Sequence, residues 1–242
     1  MTVNNIDELI KQEEFYHFFQ PLYNINTEQV VGYEALFRSS LFSNPQEAFQ
    51  AAKKNNQLYE LELKNIKKAI YTLVHSEVMT DKIKLFLNIF PSTIMQPDFL
   101  EILDKIILEA KLRKEQIILE LNECDVVVDM KSFQSNVLEC KKRGYFIAID
   151  DFGQGTASMR ALVDLTPQIV KIDKYFVEQI STNESKQEML KSFVNYCESM
   201  NTYLIQEGVE NVKELNIIKR LGILFGQGYY LGRPKPLKVD CD

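Results

Sequence analysis

The sequence predicts an α/β fold, a modified TIM (β/α)8 barrel in which the first strand is antiparallel to the rest. Short apolar runs rich in Ile, Val and Phe recur along the chain, and helix-like segments separate most of them. Strands that alternate with helices imply crossover connections and a parallel sheet. The first two runs lie too close together for a crossover helix, so they are expected to pair as a hairpin. The length of 242 residues suits one α/β barrel domain.

The predicted hairpin consists of FFQPLYNI (residues 18–25) and VVGYEALF (30–37), joined by NTEQ. In an antiparallel pair the start of one strand lies beside the end of the other. Gln20 is therefore expected to face the region of Glu34 and Arg38.

The six later strands are predicted from runs of six to nine mostly apolar residues, and continuous apolar stretches of this kind suit strands covered on both faces. In chain order these runs are KLFLNIF (84–90), QIILELNE (116–123), FIAIDDF (146–152), QIVKID (168–173), TYLIQEG (202–208) and GILFGQGYY (222–230). Apolar stripes at helical spacing predict helices in the segments NIKKAIYTLVHS (65–76), EMLKSFVNYCESM (188–200) and VKELNIIKRLG (212–222). We expect one domain over residues 1–242.

Composition and charge narrow the function classes. The net charge of -6 and the lack of a basic run argue against a polymeric nucleic acid as partner. The N-terminus lacks the basic and apolar regions of a signal peptide, and no apolar stretch is long enough to span a membrane. The four cysteines form no CxxC pair and are interpreted as reduced thiols. These features predict a cytoplasmic protein without a membrane partner.

Polar side chains end almost every predicted strand, with no local partner. They are Glu34, Asn88, Glu120, Asp150, Asp151, Lys171, Glu207 and Gln227. In a barrel the C-terminal strand ends share one rim, where active sites lie. Taken singly, each residue has a structural explanation, such as a helix cap or a salt bridge. One lysine cannot neutralise five carboxylates, however, so either several carboxyls are protonated or cations occupy the rim.

Oxygen ligands without imidazole or thiolate favour Mg²⁺ or Mn²⁺ over zinc or copper. This many carboxylates predict a two-metal site that activates water against a phosphoryl group. The residues alone therefore indicate metal-dependent phosphoester chemistry. A barrel that acts on a carbonyl or sugar substrate through one Mg²⁺ and the lysine is the rival interpretation.

Eight segments, in order, resemble the motif blocks of the EAL-domain family of cyclic di-GMP phosphodiesterases, and together they cover nearly the whole chain. They are FQP (19–21), YEALFR (33–38), LNIFPS (87–92), LELNE (119–123), DDFGQG (150–155), VKID (170–173), QEGVE (206–210) and GQGYYLGRPKP (226–236). The resemblance implies hydrolysis of cyclic di-GMP to linear pGpG with two Mg²⁺ or Mn²⁺ ions.

The resemblance also implies a role for each site residue. The implied metal ligands are Glu34, Asn88, Glu120, Asp150 and Asp151. Lys171 would orient the attacking water or meet phosphoryl charge, and Glu207 would act as general base or hold metal-bound water. Glu123 matches a glutamate that tethers the loop after DDFG. The implied substrate contacts are Gln20, Leu36, Arg38 and Gln227.

Two departures from the family pattern concern glutamines. The loop after the paired aspartates commonly reads DDFG-T/A-G-Y-S-S, whereas this chain has DDFGQGTASM, with Gln154 in place of the small residue. Because this loop also contributes to a family dimer interface, a homodimer through it is a further expectation. Gln206 replaces a common Ala, and its side chain is expected to point away from Glu207 and to have no effect. Tyr229 and Tyr230 are interpreted as core residues rather than guanine-stacking groups.

The altered loop keeps a second function open. Members of the family that have lost activity act as receptors for cyclic di-GMP or as protein-interaction modules. Such receptors usually lack one or more of the carboxylates, and this chain retains them all.

Overall fold

The computed structural model describes residues 2–121, 129–154 and 158–239. Its eight strands close into a barrel in sequence order. They are β1 (Phe15–Asn24), β2 (Gln29–Ser39), β3 (Lys84–Ile89), β4 (Ile117–Leu121), β5 (Phe146–Phe152), β6 (Ile169–Ile172), β7 (Tyr203–Gln206) and β8 (Phe225–Gly226). β1 is antiparallel to both of its neighbours, β2 and β8, and every other neighbouring pair is parallel. The predicted fold class is confirmed.

Helices cover the outside of the barrel. They are α1 (Thr2–Gln12), α2 (Pro45–Lys54), α3 (Leu58–Val74), α4 (Pro91–Ile94), α5 (Phe99–Glu109), α6 (Met130–Lys142), α7 (Ser158–Leu165), α8 (Glu184–Ser199) and α9 (Val212–Arg220). None of the helices in these described ranges combines the length and the hydrophobicity that a membrane span requires.

The predicted hairpin is confirmed, with Gln20 directly opposite Glu34 and Arg38 opposite Tyr16. Five residues of β2 follow Glu34, which corresponds to about 17 Å of extended chain. The hairpin therefore rises above the barrel rim and forms a wall beside it. A separate apolar cluster supports this wall, because Phe15 and Phe37 pack against residues of α1, α2 and α3.

The barrel interior contains a small apolar layer contributed by alternate strand residues: Leu22, Phe86, Ile118, Ala148, Ile169 and Ile205. Larger apolar clusters fill the space between the strands and the surrounding helices. Side chains on one face of a strand recur every second residue. The next inward-facing position on each strand therefore lies two residues from this layer, at the rim.

Candidate metal centre

Eight polar side chains form a ring at the rim, one from each strand or from the residue that follows it. The ring residues are Gln20, Glu34, Asn88, Glu120, Asp150, Lys171, Glu207 and Gln227. β3 to β6 deliver their residues near their C-terminal ends, and Glu207 and Gln227 directly follow β7 and β8. Glu34 lies in the middle of β2, and the antiparallel β1 supplies Gln20 opposite it. The structure thus brings together the rim residues that the strand pattern predicted.

Lys171 lies at the centre of the ring and is fully buried. Its Nζ atom is 3.2 Å from Glu34, 2.8 Å from Glu120, 2.9 Å from Asp150 and 2.9 Å from Glu207. An ammonium group has three protons, so it cannot donate fully to four carboxylates. The contacting oxygens, Glu120 Oε1 and Asp150 Oδ1, lack a hydrogen bond of normal geometry within the described residues. Both oxygens nevertheless form close ion pairs with Lys171, at 2.8 and 2.9 Å.

Two amides complete the contacts of Glu34. Gln227 Nε2 donates to Glu34 Oε2 at 2.7 Å, and Asn88 Nδ2 donates to Glu34 Oε1 at 3.0 Å. Burial alone would raise the pKa of Glu34, but the charge of Lys171 and these hydrogen bonds lower it below the usual value. Asn88 also donates to Glu120 at 3.3 Å. A half-turn of the Asn88 amide would present its oxygen, instead of its nitrogen, to a cation at this point.

The other carboxyls carry an energetic cost in the absence of further positive charge. Burial raises the pKa of Glu120 well above its usual value, although Lys171 opposes the change. Burial likewise raises the pKa of Glu207 to about 8 against the charge of Lys171. For Asp151, burial and the charge of Asp150 raise the pKa to about 6. One lysine does not balance the ring, as the sequence had indicated.

A backbone irregularity explains how two consecutive aspartates can reach the same site. Successive strand residues normally point to opposite faces. The register between β5 and β6 shifts between Ile149 and Phe152, and Asp151 adopts the left-handed conformation with φ of 52°. An irregularity of this kind redirects a side chain. Both Asp150 and Asp151 consequently line the same cleft.

The carboxylates fit divalent cations. Ligand atoms of Glu34, Glu120 and Asp150 lie within 4.8 Å of one another, and so do those of Asp150, Asp151 and Glu207. The two groups share Asp150, and all their ligand atoms are carboxylate oxygens, which hard cations such as Mg²⁺ and Mn²⁺ prefer. The insufficiently compensated negative charge around Lys171 provides the attraction.

A cleft of about 930 Å³ opens above the ring. Leu36 and Arg38, on the projecting part of β2, line one wall of it. The Arg38 guanidinium lies 5.2 Å from the centre of the Phe18 ring and donates from Nη1 to the Phe37 carbonyl at 2.7 Å. Gln20 lies lower and donates to the carbonyl of Gly232 at 3.2 Å. The predicted substrate-contacting residues therefore all border one cavity, with Gln227 near its base.

Several cleft residues were not predicted. The side chains of Gln46, Phe49 and Gln50 on α2 line the cavity, and so does Lys174 beyond β6. These residues end no strand, so the strand pattern gave no signal for them. The interpretation of Tyr229 and Tyr230 as core was wrong: they are 52% and 49% exposed, and Tyr229 lines the cleft. Both follow β8, where the chain has already left the barrel.

Two predictions fall on residues outside the described part of the chain. Glu123, expected to tether the loop after β5, belongs to the undescribed stretch 122–128. The loop itself, expected to mediate a homodimer, includes the undescribed residues 155–157.

Comparison with known proteins gives a consistent result. The sequence model of the EAL domain family matches residues 3–234. A protein of Escherichia coli named probable cyclic di-GMP phosphodiesterase PdeD is 27% identical over 236 residues, 95% of this chain and 43% of the relative. The blue light- and temperature-regulated antirepressor BluF, also of Escherichia coli, is 26% identical over 221 residues, 90% of this chain and 54% of the relative. The chain spans between 21% and 54% of the length of the curated relatives it matches.

Solved structures with the same fold contain cyclic di-GMP. The EAL enzyme Bd1971, in its form bound to cAMP and cyclic di-GMP, superimposes with a TM-score of 0.86 at 26% identity, covering 96% of this chain and 65% of that one. BlrP1 of Klebsiella pneumoniae, in a complex with manganese and cyclic di-GMP, gives a TM-score of 0.83 at 27% identity, covering 92% and 56%.

Proposed function

The chain belongs to the EAL domain family, and from this premise we propose that it is a metal-dependent phosphodiesterase that hydrolyses cyclic di-GMP to linear pGpG. The observation that carries the proposal is the ring of carboxylates around a single buried lysine at the barrel rim. The similarity to proteins named as cyclic di-GMP phosphodiesterases adds support.

We propose that the cofactor is a pair of Mg²⁺ or Mn²⁺ ions held by Glu34, Asn88, Glu120, Asp150 and Asp151. The two clusters of three carboxylates, which have Asp150 in common, support this assignment. The manganese in the BlrP1 complex supports it as well. When bound, two such ions would lower the pKa of water and neutralise charge on the phosphodiester.

Lys171 would serve as a permanent cation. Burial alone would lower its pKa, but Asp150 and the neighbouring carboxylates raise it well above the usual value. The ammonium group therefore keeps its protons at neutral pH, and we propose that its charge orients the attacking water or offsets phosphoryl charge. It cannot act as the base, because it has no lone pair to accept a proton.

Glu207 is the ring carboxylate proposed to receive the proton of the attacking water. Its side chain is 18% exposed and borders the cleft, whereas those of Glu34 and Glu120 are 8% and 0% exposed. The 2.9 Å contact with Lys171 holds one carboxylate oxygen in place. The other role that the resemblance allows, holding metal-bound water, uses the same carboxylate.

The wall above the ring suits a dinucleotide. The cavity has the size of ligand pockets in other proteins, about 300–1,000 Å³. A guanidinium carries five N–H donors in a fork that matches phosphate oxygens. We propose that Arg38 holds a phosphate of the substrate and that Gln20, Leu36 and Gln227 contact its remainder.

Turnover can be tested with purified protein, cyclic di-GMP and Mg²⁺ or Mn²⁺, following pGpG by chromatography. We expect product formation that stops when a chelator is added. Glu34→Gln should lower kcat by more than about 100-fold, the scale of losing an electrostatic group at a reaction centre. The matched control, Glu188→Gln, neutralises an exposed carboxylate on α8 and should keep the wild-type rate.

A second candidate function is a receptor that binds cyclic di-GMP, or a protein partner, without turnover. The similarity to the antirepressor BluF and the altered loop after β5 favour it. Calorimetric binding of cyclic di-GMP with no pGpG after prolonged incubation would establish this function and refute the phosphodiesterase.

We propose that residues 1–242 act as a single EAL-type barrel domain, since the closed barrel uses strands from Phe15 to Gly226. A cytoplasmic location is supported by the buried free thiols of Cys140 and Cys197. A homodimer through the loop after β5 is supported by Met159 and Val163, adjacent on α7 and 62% and 65% exposed.

A further inference from the structure

Gln206, the last residue of β7, is a completely buried amide. Its Nε2 atom lies 2.9 Å from the carbonyl oxygen of Glu207 and 3.3 Å from those of both Ile172 and Asp173. The two N–H protons thus face three carbonyl oxygens. The reverse orientation of the amide would place Oε1 against the same oxygens, so the hydrogen bonds fix the assignment.

Core packing alone does not account for this residue. Gln206 Oε1 has no hydrogen-bond donor among the described residues. A buried polar atom without a partner lowers stability, and an apolar side chain of similar size would avoid that cost. The hydrogen bonds of its nitrogen to the three backbone carbonyls therefore explain the amide better than packing does.

The nitrogen connects two strands at the point where their backbone pairing stops. Glu207 N donates to the Ile172 carbonyl at 3.0 Å, which is the last backbone hydrogen bond between these segments. Beyond it, Asp173 caps a short 3-10 helix (Lys174–Phe176), and the backbone turns at Gly208, whose φ is 67°. Gln206 adds side-chain bonds at this divergence. The strands it joins carry the neighbours Lys171 and Glu207, whose side chains lie 2.9 Å apart.

A second glutamine reaches the same place from β5. Gln154 Nε2 donates to Asp173 Oδ2 at 2.6 Å and lies 3.4 Å from Asp151 Oδ1. Asp173 Oδ1 accepts from Tyr175 N at 2.8 Å, so its carboxylate is held on both sides. Asp173 is thus joined to the segment after β5 by Gln154 and to β7 by Gln206. Both glutamines are departures from the family pattern.

We propose that Gln206 is a positioning residue. With Asp173 and Gln154 it forms an amide clamp that fixes the ends of β5, β6 and β7, and so sets the placement of Glu207 relative to Lys171. This role replaces the expectation that Gln206, which stands where the family commonly has Ala, has no effect. Its catalytic consequence rests on the proposed function, but its structural consequence does not.

The test compares Gln206→Met with the matched control Gln116→Met. Gln116 is also buried and donates from Nε2 to two backbone carbonyls, those of Thr80 and Ile83, but it precedes β4 at the opposite end of the barrel. Amide hydrogen exchange is measured on the metal-free proteins, and kcat and KM are measured with cyclic di-GMP and Mn²⁺. Gln154→Ala, which alters an exposed side chain, provides a variant that does not disturb the core.

We expect Gln206→Met to speed exchange of the amides from Glu207 to Val209 and to lower kcat about tenfold, with KM nearly unchanged, because small misplacements are costly in catalysis. Gln154→Ala should lower kcat about threefold by the same reasoning, and Gln116→Met should change neither quantity. The proposal is overturned if the Glu207 amide of Gln206→Met exchanges at the wild-type rate, or if the kcat of this variant is unchanged. If Gln206→Met does not fold, unchanged kcat and exchange in Gln154→Ala overturn it. Wild-type protein without turnover refutes the proposed function, and the exchange rates alone then decide the positioning role.

Discussion

Replacement of Glu207 by Gln should stabilise the metal-free protein, even though Glu207 is proposed as a reacting group. Burial raises the pKa of this carboxyl from 4.5 to about 8. A pKa raised by folding means that the folded form loses stability as pH rises from the unfolded value towards the folded one. Gln206 and the ring backbone remain in place, and Gln at position 207 can still accept a hydrogen bond from Lys171.

The size of the effect follows from the two pKa values. In the metal-free protein at pH 7, a pKa of about 8 means that the carboxyl is mostly protonated in the folded state, whereas it is ionised in the unfolded state. Each pH unit between 4.5 and 7 costs about 1.4 kcal/mol, so the penalty at pH 7 is about 3 kcal/mol. Below pH 4.5 the penalty disappears, because both states bind the proton.

The assay is urea denaturation in the presence of a chelator at several pH values between 4.5 and 8. The quantity of interest is the difference in the free energy of unfolding between Glu207→Gln and the wild type. It should grow by about 3 kcal/mol from pH 4.5 to pH 7. Glu188→Gln makes the same chemical change at an exposed position on α8, and its difference curve should be flat.

A flat curve for Glu207→Gln would refute the reasoning, since it would mean that Lys171 alone compensates this carboxylate. Addition of saturating Mn²⁺ supplies an internal check. If cations relieve the excess negative charge, the wild type should gain more stability from Mn²⁺ than Glu207→Gln does.

Two further predictions concern the support of the site. His17 is buried, donates from Nε2 to Asn65 at 2.7 Å, and burial lowers its pKa from 6.5 to about 4. A lowered histidine pKa means that the folded protein loses stability as pH falls, so His17→Gln should remove about 3 kcal/mol of the stability that the wild type loses between pH 6.5 and 4. Urea denaturation measures this difference, and the control His75→Gln should not show it. A Cβ on Gly228 would lie 2.2 Å from the backbone nitrogen of Val209, so Gly228→Ala should lower the free energy of unfolding by more than about 2 kcal/mol and reduce turnover. Gly226→Ala, whose closest new contacts are side chains at 3.1 and 3.3 Å, should be milder, and equal losses for the two would contradict the clash.

The ring illustrates how much of the site could be predicted from local pattern. Period-two alternation and the ends of the apolar runs identified Asn88, Glu120 and Lys171 as rim residues without any knowledge of their contacts. The short NTEQ connection likewise identified the hairpin and placed Gln20 beside Glu34. Excess negative charge at the rim also followed from counting carboxylates against lysines.

The contacts between distant segments required the tertiary structure. Lys171 and Glu34 are 137 residues apart, and their 3.2 Å contact depends on how the whole barrel closes. The irregularity that turns Asp151 into the cleft overrides the alternation that the sequence pattern assumes. The residues of α2 that line the cleft do not end a strand, so the strand pattern could not identify them.

The sequence by itself determined the fold class, the order of the strands and the identity of the polar residues that end them, because strand periodicity and connection length are local properties. Only the tertiary structure decided which carboxylates Lys171 contacts, which pKa values rise, and that Gln206 bonds to the end of β6. These depend on distances and burial, which arise when segments far apart in sequence pack together.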